Sequence, residues 1–339
     1  MNAAHDRVIY VAGHRGMVGS AIVRGLKSLG YRNIIVANRH ELDLRDQAAV
    51  LSFFDRYKPH YVVDAAAKVG GILANNNFPA DFIRDNLLIQ SNLIEAAHRT
   101  GTQRFLFLGS SCIYPKLAAQ PLRESYLLSG PLEPTNRPYA VAKIAGIEMC
   151  WAYNRQYPKG CGYLAAMPTN LYGPGDNYHP ENSHVIPGLL RRFHEAKLQR
   201  ADRVVVWGSG KVRREFMHVD DMAKACIGLL LLDEIRWTSL LASDRSEGEA
   251  PIVNIGCGED VTIADLARLI AQVVGFGGEI AFDSTKPDGT PRKLMDVSKL
   301  WALFPKDCMG LYEGLAQTYE SIQSVWTESA PPSNALRVS

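Results

Sequence analysis

Tyr139 and Lys143 stand four residues apart in the run Tyr139-Ala140-Val141-Ala142-Lys143, so a helix places a phenol and an ammonium on one face. A cation beside a phenol favours the phenolate, lowers its pKa from about 10, and makes Tyr139 a usable proton donor or acceptor near neutrality. Ser110 follows a short apolar run at 104–108, and its hydroxyl suits a hydrogen bond to a substrate carbonyl held beside that phenol. Together the three side chains describe proton transfer at a carbonyl group.

A second feature lies near the amino end. Residues 7–12 (RVIYVA) run into Gly13-His14-Arg15-Gly16-Met17-Val18-Gly19, a G-x-x-G-x-x-G turn that opens a helical pattern. Such glycines let the backbone approach a pyrophosphate whose charge rests on the helix N-terminus. With 28 glycines in 339 residues, chance supplies about 0.2 such matches per chain, so the strand–turn–helix context carries the dinucleotide expectation. The next strand ends Val36-Ala37-Asn38-Arg39, without the acidic residue that would bond a ribose 2′-hydroxyl. Arg39, with Arg15 in the turn, offers planar forks for a 2′-phosphate, and the expected cofactor is NADP(H). Asp43, before Leu44, is placed to bond an adenine amino group, and Ala66 lies in a triple-alanine stretch with room for an adenosine.

These residues need a scaffold. Strand-like runs at 7–12, 33–37, 61–65, 104–108 and 162–167 alternate with helical patterns at 17–29, 46–57, 79–99 and 138–157. That alternation predicts an α/β fold, a doubly wound, Rossmann-like parallel sheet with helices on both faces. Beyond 170 the elements shorten (204–207, 252–255 and 280–282), and a smaller mixed α/β domain is expected. The division expected is 1–170 for cofactor, with a return segment near 213–235, and 171–326 for substrate. A disordered tail is expected at 327–339, where two prolines adjoin.

Composition narrows the function. Hydrophobic residues make up 47% and charged ones 21%, enough apolar matter for a packed core. The formal charge of +2 is too small to mark a nucleic-acid or anionic-membrane surface. The longest apolar stretch, 227–232, falls far short of the roughly 20 residues of a membrane span. No export leader precedes the first strand, and six scattered cysteines form neither a disulfide framework nor a metal-ligand spacing, so a cytoplasmic protein without a metal is expected.

Taken together, GHRGMVG at 13–19, GSSCIYPK at 109–116, PTNRPYAVAKIAGI at 134–147, PTNLYG at 168–173, NSHVIP at 182–187, VWGSG at 206–210 and KPDGTPRK at 286–293 make the chain resemble the extended, sugar-nucleotide-modifying branch of the short-chain dehydrogenase/reductases. Within that branch it resembles the GDP-L-fucose synthase family, over about 7–319. The resemblance implies conversion of GDP-4-keto-6-deoxy-D-mannose to GDP-L-fucose by epimerisation at C3 and C5, then NADPH-dependent reduction at C4. It implies Cys112 as the base and His184 as the acid of the epimerisation, beside Ser110, Tyr139 and Lys143. For Cys112 the plain alternative is a small buried hydrophobe, and for His184 a loop histidine bonded to backbone.

The resemblance also implies cofactor contacts from Gly13, Arg15, Gly16, Met17, Val18, Gly19, Arg39, Asp43, Leu44, Ala66, Leu108, Gly109, Ser110, Lys143, Pro168, Thr169, Asn170, Leu171 and His184. For the GDP moiety, Trp207 suits stacking and Arg192 and Arg214 suit phosphate, while Asp288 and Arg292 suit ribose or guanine. The two long helices carry more apolar residues than one sheet face requires, and the superfamily pairs these helices across a two-fold axis, so a homodimer through a four-helix interface is expected. The competing readings are a GDP-4-keto-6-deoxy-mannose 4-reductase without epimerase activity and a non-catalytic NADP(H) sensor.

Overall fold

The computed structural model describes residues 6–180, 183–247, 250–286 and 288–328. Its first half is a chain of strand–helix units: β1 (Ile9–Ala12), α1 (Met17–Ser28), β2 (Ile34–Ile35), α2 (Gln47–Tyr57), β3 (Tyr61–Asp64), α3 (Ile72–Asn77), α4 (Pro79–Thr100), β4 (Arg104–Leu108), α5 (Arg137–Gln156) and β5 (Gly162–Pro168). Local chemistry sets several of these boundaries. Asp46 caps α2 by accepting the Ala49 N–H, Pro79 sits in the first turn of α4, and Gly101 ends α4 in the left-handed region at φ 77°. β2 is shorter than the run at 33–37 suggests, because Asn38 folds the chain into a turn, accepting the His40 N–H at 2.9 Å.

The second half follows with β6 (Asn170–Tyr172), α6 (Val185–Leu198), β7 (Arg203–Trp207), β8 (Arg213–His218), α7 (Val219–Leu230), α8 (Glu234–Glu247), β9 (Ile252–Ile255), β10 (Asp260–Thr262), α9 (Ile263–Val274), β11 (Glu279–Asp283), β12 (Arg292–Lys293), α10 (Ser298–Leu303) and α11 (Leu311–Glu328). The main sheet is parallel, in the order β2-β1-β3-β4-β5-β9. β1, β3, β4 and β9 are buried at every position, as a sheet covered on both faces requires. The strand order reverses between β1 and β3, which opens a crevice at the carboxyl ends of those strands.

One expectation is corrected here. Residues 252–255, assigned from sequence to the smaller region, are the sixth strand of the main sheet, with Ala165 opposite Ile252 and Pro168 opposite Ile255. Four buried residues, IVNI, have no periodicity that would choose between sheets; pairing with the open edge of β5 decides it. α7 also returns to the first sheet, where Met222, Ala223, Cys226 and Ile227 join Ala21, Ile22 and Leu26 of α1 in one core. The core on the opposite face is built from α2, α4 and α5.

A separate core gathers α6, α9 and α11 around β7 and β11. β8 is the hub of a small sheet, antiparallel to β10 and parallel to β12 and β6. Of the tail expected at 327–339, Thr327 and Glu328 close α11, and 329–339 lie outside the described residues.

Candidate active site

The glycine turn occupies the crevice between β1 and β3. Gly13 has φ +77°, and a Cβ there would lie 2.6 Å from the Ala65 carbonyl oxygen, so glycine is needed for both conformation and space. Gly19 is equally constrained, since its Cβ would fall 2.3 Å from the Gly13 carbonyl oxygen. Gly16 is the N-cap of α1 and contributes no side chain to it, so no side-chain cap takes up the N–H groups of the first turn. This cradle fits a pyrophosphate. Arg15 is exposed on its rim, and Arg39 is exposed on the turn after β2, two cations suited to a 2′-phosphate.

Asp43 is more committed than its sequence position suggests. Its carboxylate accepts from Arg45 Nε at 2.9 Å and Nη2 at 2.6 Å, and also from the Arg45 backbone N–H. The Arg45 hydrogen bond leads in holding its pKa down to about 2, with Arg39 adding a smaller pull. Leu44, next to it, is fixed by a bond from Asn92 Nδ2 to its carbonyl.

At the carboxyl end of β4 the sequence constellation assembles. A single 3₁₀ turn, Ser111–Ile113, follows Ser110 and points Cys112 inward, where it is 9% exposed. Gly109 donates to the Ala166 carbonyl at 2.9 Å, locking this turn against β5. Lys143 is 3% exposed and donates to the Leu108 carbonyl at 2.8 Å, so the first turns of α5 are pinned across the end of β4. Its ammonium lies 6.0 Å from the centroid of the Tyr139 ring and 4.7 Å from that of Phe107. Tyr114, two residues past Cys112, donates from its hydroxyl to Asn254 Oδ1 at 2.5 Å, which ties the same loop to β9.

The electrostatics of this cluster depart from the sequence expectation. Burial pushes the Tyr139 phenol up, and Cys112 and Asp64 add to the rise. Tyr139 is therefore held as a neutral phenol, with desolvation the leading cause. Burial also raises Cys112, against downward contributions from Lys293, a Ser110 hydrogen bond and Lys143. Lys143 is lowered by burial and raised by Asp64 and by Cys112.

Lys293, on β12 opposite Arg214, is a site residue with no role in the sequence reading. It closes the KPDGTPRK motif, but its approach to Cys112 depends on β12 pairing with β8, which no local pattern reveals. Arg45, which holds Asp43 from two residues away, also had no role in the sequence reading, since no motif marks that local pair.

His184 comes from the other side of the fold, as the N-cap of α6. Its side chain does not cap the helix; the residue as a whole is exposed, and the partial desolvation of its ring lowers its pKa below the ordinary value. Pro168, Thr169, Asn170 and Leu171 form the floor between the two regions. Thr169 donates its N–H to Ile255 O at 2.9 Å, and Asn170 Nδ2 donates to Glu215 O at 2.8 Å.

The residues expected to meet GDP line an open face of the smaller sheets. Trp207 is 66% exposed, with the Arg192 guanidinium 5.8 Å and the Lys286 ammonium 5.6 Å from its ring centroid. Arg192 also donates to Val205 O at 2.9 Å, beside a cavity of about 400 Å³ that reaches Trp207. Asp288 binds Ser209 twice, through N–H and hydroxyl at 2.7 Å each, and so holds the glycine turn after Trp207. Arg214 is near Asp288. Arg292 is occupied by Asp260 at 2.5 Å, and Arg191 by Glu195 and the Tyr178 carbonyl.

Residues 9–236 match the NAD dependent epimerase/dehydratase family. GDP-L-fucose synthase 1 of Arabidopsis thaliana is 57% identical over 312 residues, 92% of this chain and 92% of that protein. GDP-L-fucose synthase of Escherichia coli (strain K12) is 55% identical over 312 residues, 92% of this chain and 95% of that one. Among solved structures, a GDP-L-fucose synthetase from Naegleria fowleri bound to NADP superposes with a TM-score of 0.81 at 27% identity, covering 96% of each chain.

Proposed function

The chain belongs to the NAD dependent epimerase/dehydratase family, and from that premise we propose that it converts GDP-4-keto-6-deoxy-D-mannose to GDP-L-fucose as an NADP(H)-dependent epimerase and reductase. The observation that carries this reading is the gathering of Ser110, Cys112, Tyr139 and Lys143 beside the glycine cradle, in a chain 55–57% identical to GDP-L-fucose synthases. NADPH would be held by the cradle of Gly13, Gly16 and Gly19, with Arg15 and Arg39 at the 2′-phosphate and Asp43 near the adenine. When bound, it supplies the two-electron reducing equivalent for C4.

The protein's own groups handle the protons. The C4 keto group acidifies the C–H bonds at C3 and C5, and hydrogen bonds from Ser110 and Tyr139 to the keto oxygen stabilise the enolate that forms when a proton leaves. Cys112 takes that proton as the thiolate, whose charge is favoured by Lys293 and Lys143. His184 returns a proton on the opposite face. Its lowered pKa makes the imidazolium, once formed, a stronger acid than a free one. In the reduction the phenol of Tyr139, kept protonated by its raised pKa, gives its proton to the strongly basic oxygen that forms at C4. Trp207, Arg192 and Arg214 receive the GDP moiety, with Asp288 shaping their loop.

The same proposal divides the chain into a cofactor region, 1–170, completed by the return near 213–235 and by β9, and a substrate region within 171–326. It includes a homodimer through α4 and α5, supported by Leu88 and Val141, which remain 40% and 38% exposed on those helices. A cytoplasmic setting is part of it and is supported by the scattered cysteines of the sequence. Among the described residues no helix is long and apolar enough to cross a membrane.

The test is NADPH absorbance after addition of GDP-4-keto-6-deoxy-D-mannose, with NADH in parallel, and NMR identification of the product. Rapid loss with NADPH, little with NADH and an L-fuco product are expected. A D-configured product would favour the 4-reductase reading, and NADPH binding without turnover the sensor. Cys112→Ser and His184→Gln should suppress deuterium uptake at C3 and C5 while leaving NADPH affinity within a few-fold; unchanged uptake in both would remove the acid and base roles.

A further inference from the structure

Asp64 ends β3 at 0% exposure. Its Oδ1 accepts the Ala66 N–H at 3.1 Å, while Oδ2, equally buried, has no hydrogen-bond partner among the described residues. Burying an unpaired carboxylate oxygen is costly unless charge compensates it. The strand register says where compensation lies. Asp64 is opposite Ala12 on β1 and Phe107 on β4, and the Lys143 ammonium stands 4.7 Å from the centroid of the Phe107 ring. Of the three hydrogens on that ammonium, the Leu108 carbonyl takes one. The titratable groups facing Asp64 are Lys143, Tyr139 and Cys150 from α5, and Tyr10 from β1. From α4 the neighbour of this interior is neutral Gln90, which donates to Ala142 O.

We propose that Asp64 is the buried counter-charge of Lys143, a positioning residue that keeps the ammonium charged and fixed beside Tyr139 during reduction, a role that rests on the epimerase-reductase reading. Lys143 is the cation among these neighbours, and an ammonium at 3% exposure would shed its proton readily if it were alone. Asp64 opposes that tendency, and Lys143 in turn holds Asp64 below where burial alone would put it. The balance leaves the Asp64 carboxyl raised from 3.8 to about 6, through burial first.

The sign of the pH effect follows. A carboxyl with a raised folded pKa stabilises the fold while protonated; that contribution is whole below about pH 4 and lost as pH rises through about 6. Function runs the other way, because only the ionised carboxylate supports Lys143. Reduction should therefore decline on the acid side with an apparent pKa near 6, while the fold becomes firmer.

Asp64→Asn keeps the shape and the acceptor for the Ala66 N–H but removes the charge. Expected for this variant are a kcat at pH 7.5 reduced about tenfold or more, a KM for the sugar nucleotide within twofold, loss of the acid limb, and an alkaline limb displaced downward by about one pH unit. Asp64→Glu should restore part of the rate. A rate within twofold of the parent with both limbs unmoved would overturn the proposal. So would a slower variant with unmoved limbs and a lower Tm at every pH, the signature of packing alone.

A second arm needs no turnover. Tm is followed from pH 4 to 8.5 for the parent, Asp64→Asn, Lys143→Met and the double variant. Asp64→Asn should gain Tm at pH 8 but not at pH 4. Lys143→Met, which strands the carboxylate, should lose Tm steeply above pH 6, and the double variant should recover it. Additive changes in this cycle would overturn the pairing even in a protein whose substrate proved different. Strong coupling in a protein that fails to oxidise NADPH would uphold the pairing and place the failure in the functional reading.

Discussion

Tyr139 illustrates how burial decides the direction in which a catalytic side chain works. A phenol raised by desolvation keeps its proton at neutral pH but is a weaker acid for it, so the transfer relies on the basicity of the oxygen forming at C4. Tyr139→Phe should lower NADPH oxidation by about 10³-fold or more while NADPH affinity, read by fluorescence titration, stays within a few-fold. Cys112 has the opposite task and the opposite aids: Lys293 and Lys143 favour its thiolate against the penalty of burial. Lys293→Gln should slow alkylation of Cys112 by iodoacetamide at pH 8 by roughly tenfold, about one pKa unit, read at the level of the Cys112 peptide; an unchanged rate would remove Lys293 from the thiolate's environment. Spacing made Tyr139 and Lys143 legible in the sequence, and Ser110 was legible as the residue just past a buried strand. Asp64 had no role in the sequence reading, where it was one residue of the strand-like run at 61–65; only strand register shows that it lies on the α5 side of the sheet. Lys293 was silent because its partner arrives through tertiary folding, whereas Arg45 sits two residues from its partner Asp43, a local pair that no motif marks.

At the scale of elements, the site depends on the loop between β4 and α5 being fastened at both ends. Lys143 pins α5 to the end of β4, and Tyr114 fastens the Cys112 turn to Asn254 on β9. Asn254 is itself fully buried and bonds Leu122 O, Asp296 O and Glu124 Oε1, so one side chain and its N–H gather four segments. Tyr114→Phe leaves Asn254 Oδ1 buried without that donor and should cost about 1 to 3 kcal/mol by urea denaturation. It should also slow epimerisation more than NADPH binding, since the loosened turn carries Cys112 and not the glycine cradle. The strand at 104–108 and the four long helices α1, α2, α4 and α5 were readable because each has a long run or a recognisable cap, whereas the six-residue α3 was not read. β9 was readable as a strand but not as part of the main sheet, because a fully buried four-residue strand looks the same in any sheet.

For the whole molecule, the near-neutral charge of +2 leaves association to apolar surface and not to long-range fields. Val141 on α5 and Leu88 on α4 are exposed apolar residues on the two helices that pack together over one face of the sheet. For the proposed homodimer, Leu88→Glu combined with Val141→Glu should shift sedimentation velocity from dimer to monomer at micromolar concentration; a parent chain that sediments as a monomer, or an unchanged profile, would remove this interface.

β9 also sets a timetable for synthesis. The sheet's sixth strand is encoded at 252–255, beyond the 9–236 span that matches the family, so a ribosome releases five strands and most of the catalytic residues before the strand that covers β5. Until then β5 is an open edge, the kind of surface on which nascent chains mispair, and the Cys112 turn has no Asn254 to grip. Assembly of the catalytic loop is thus among the last events of this chain's birth, although most of its residues are among the first made.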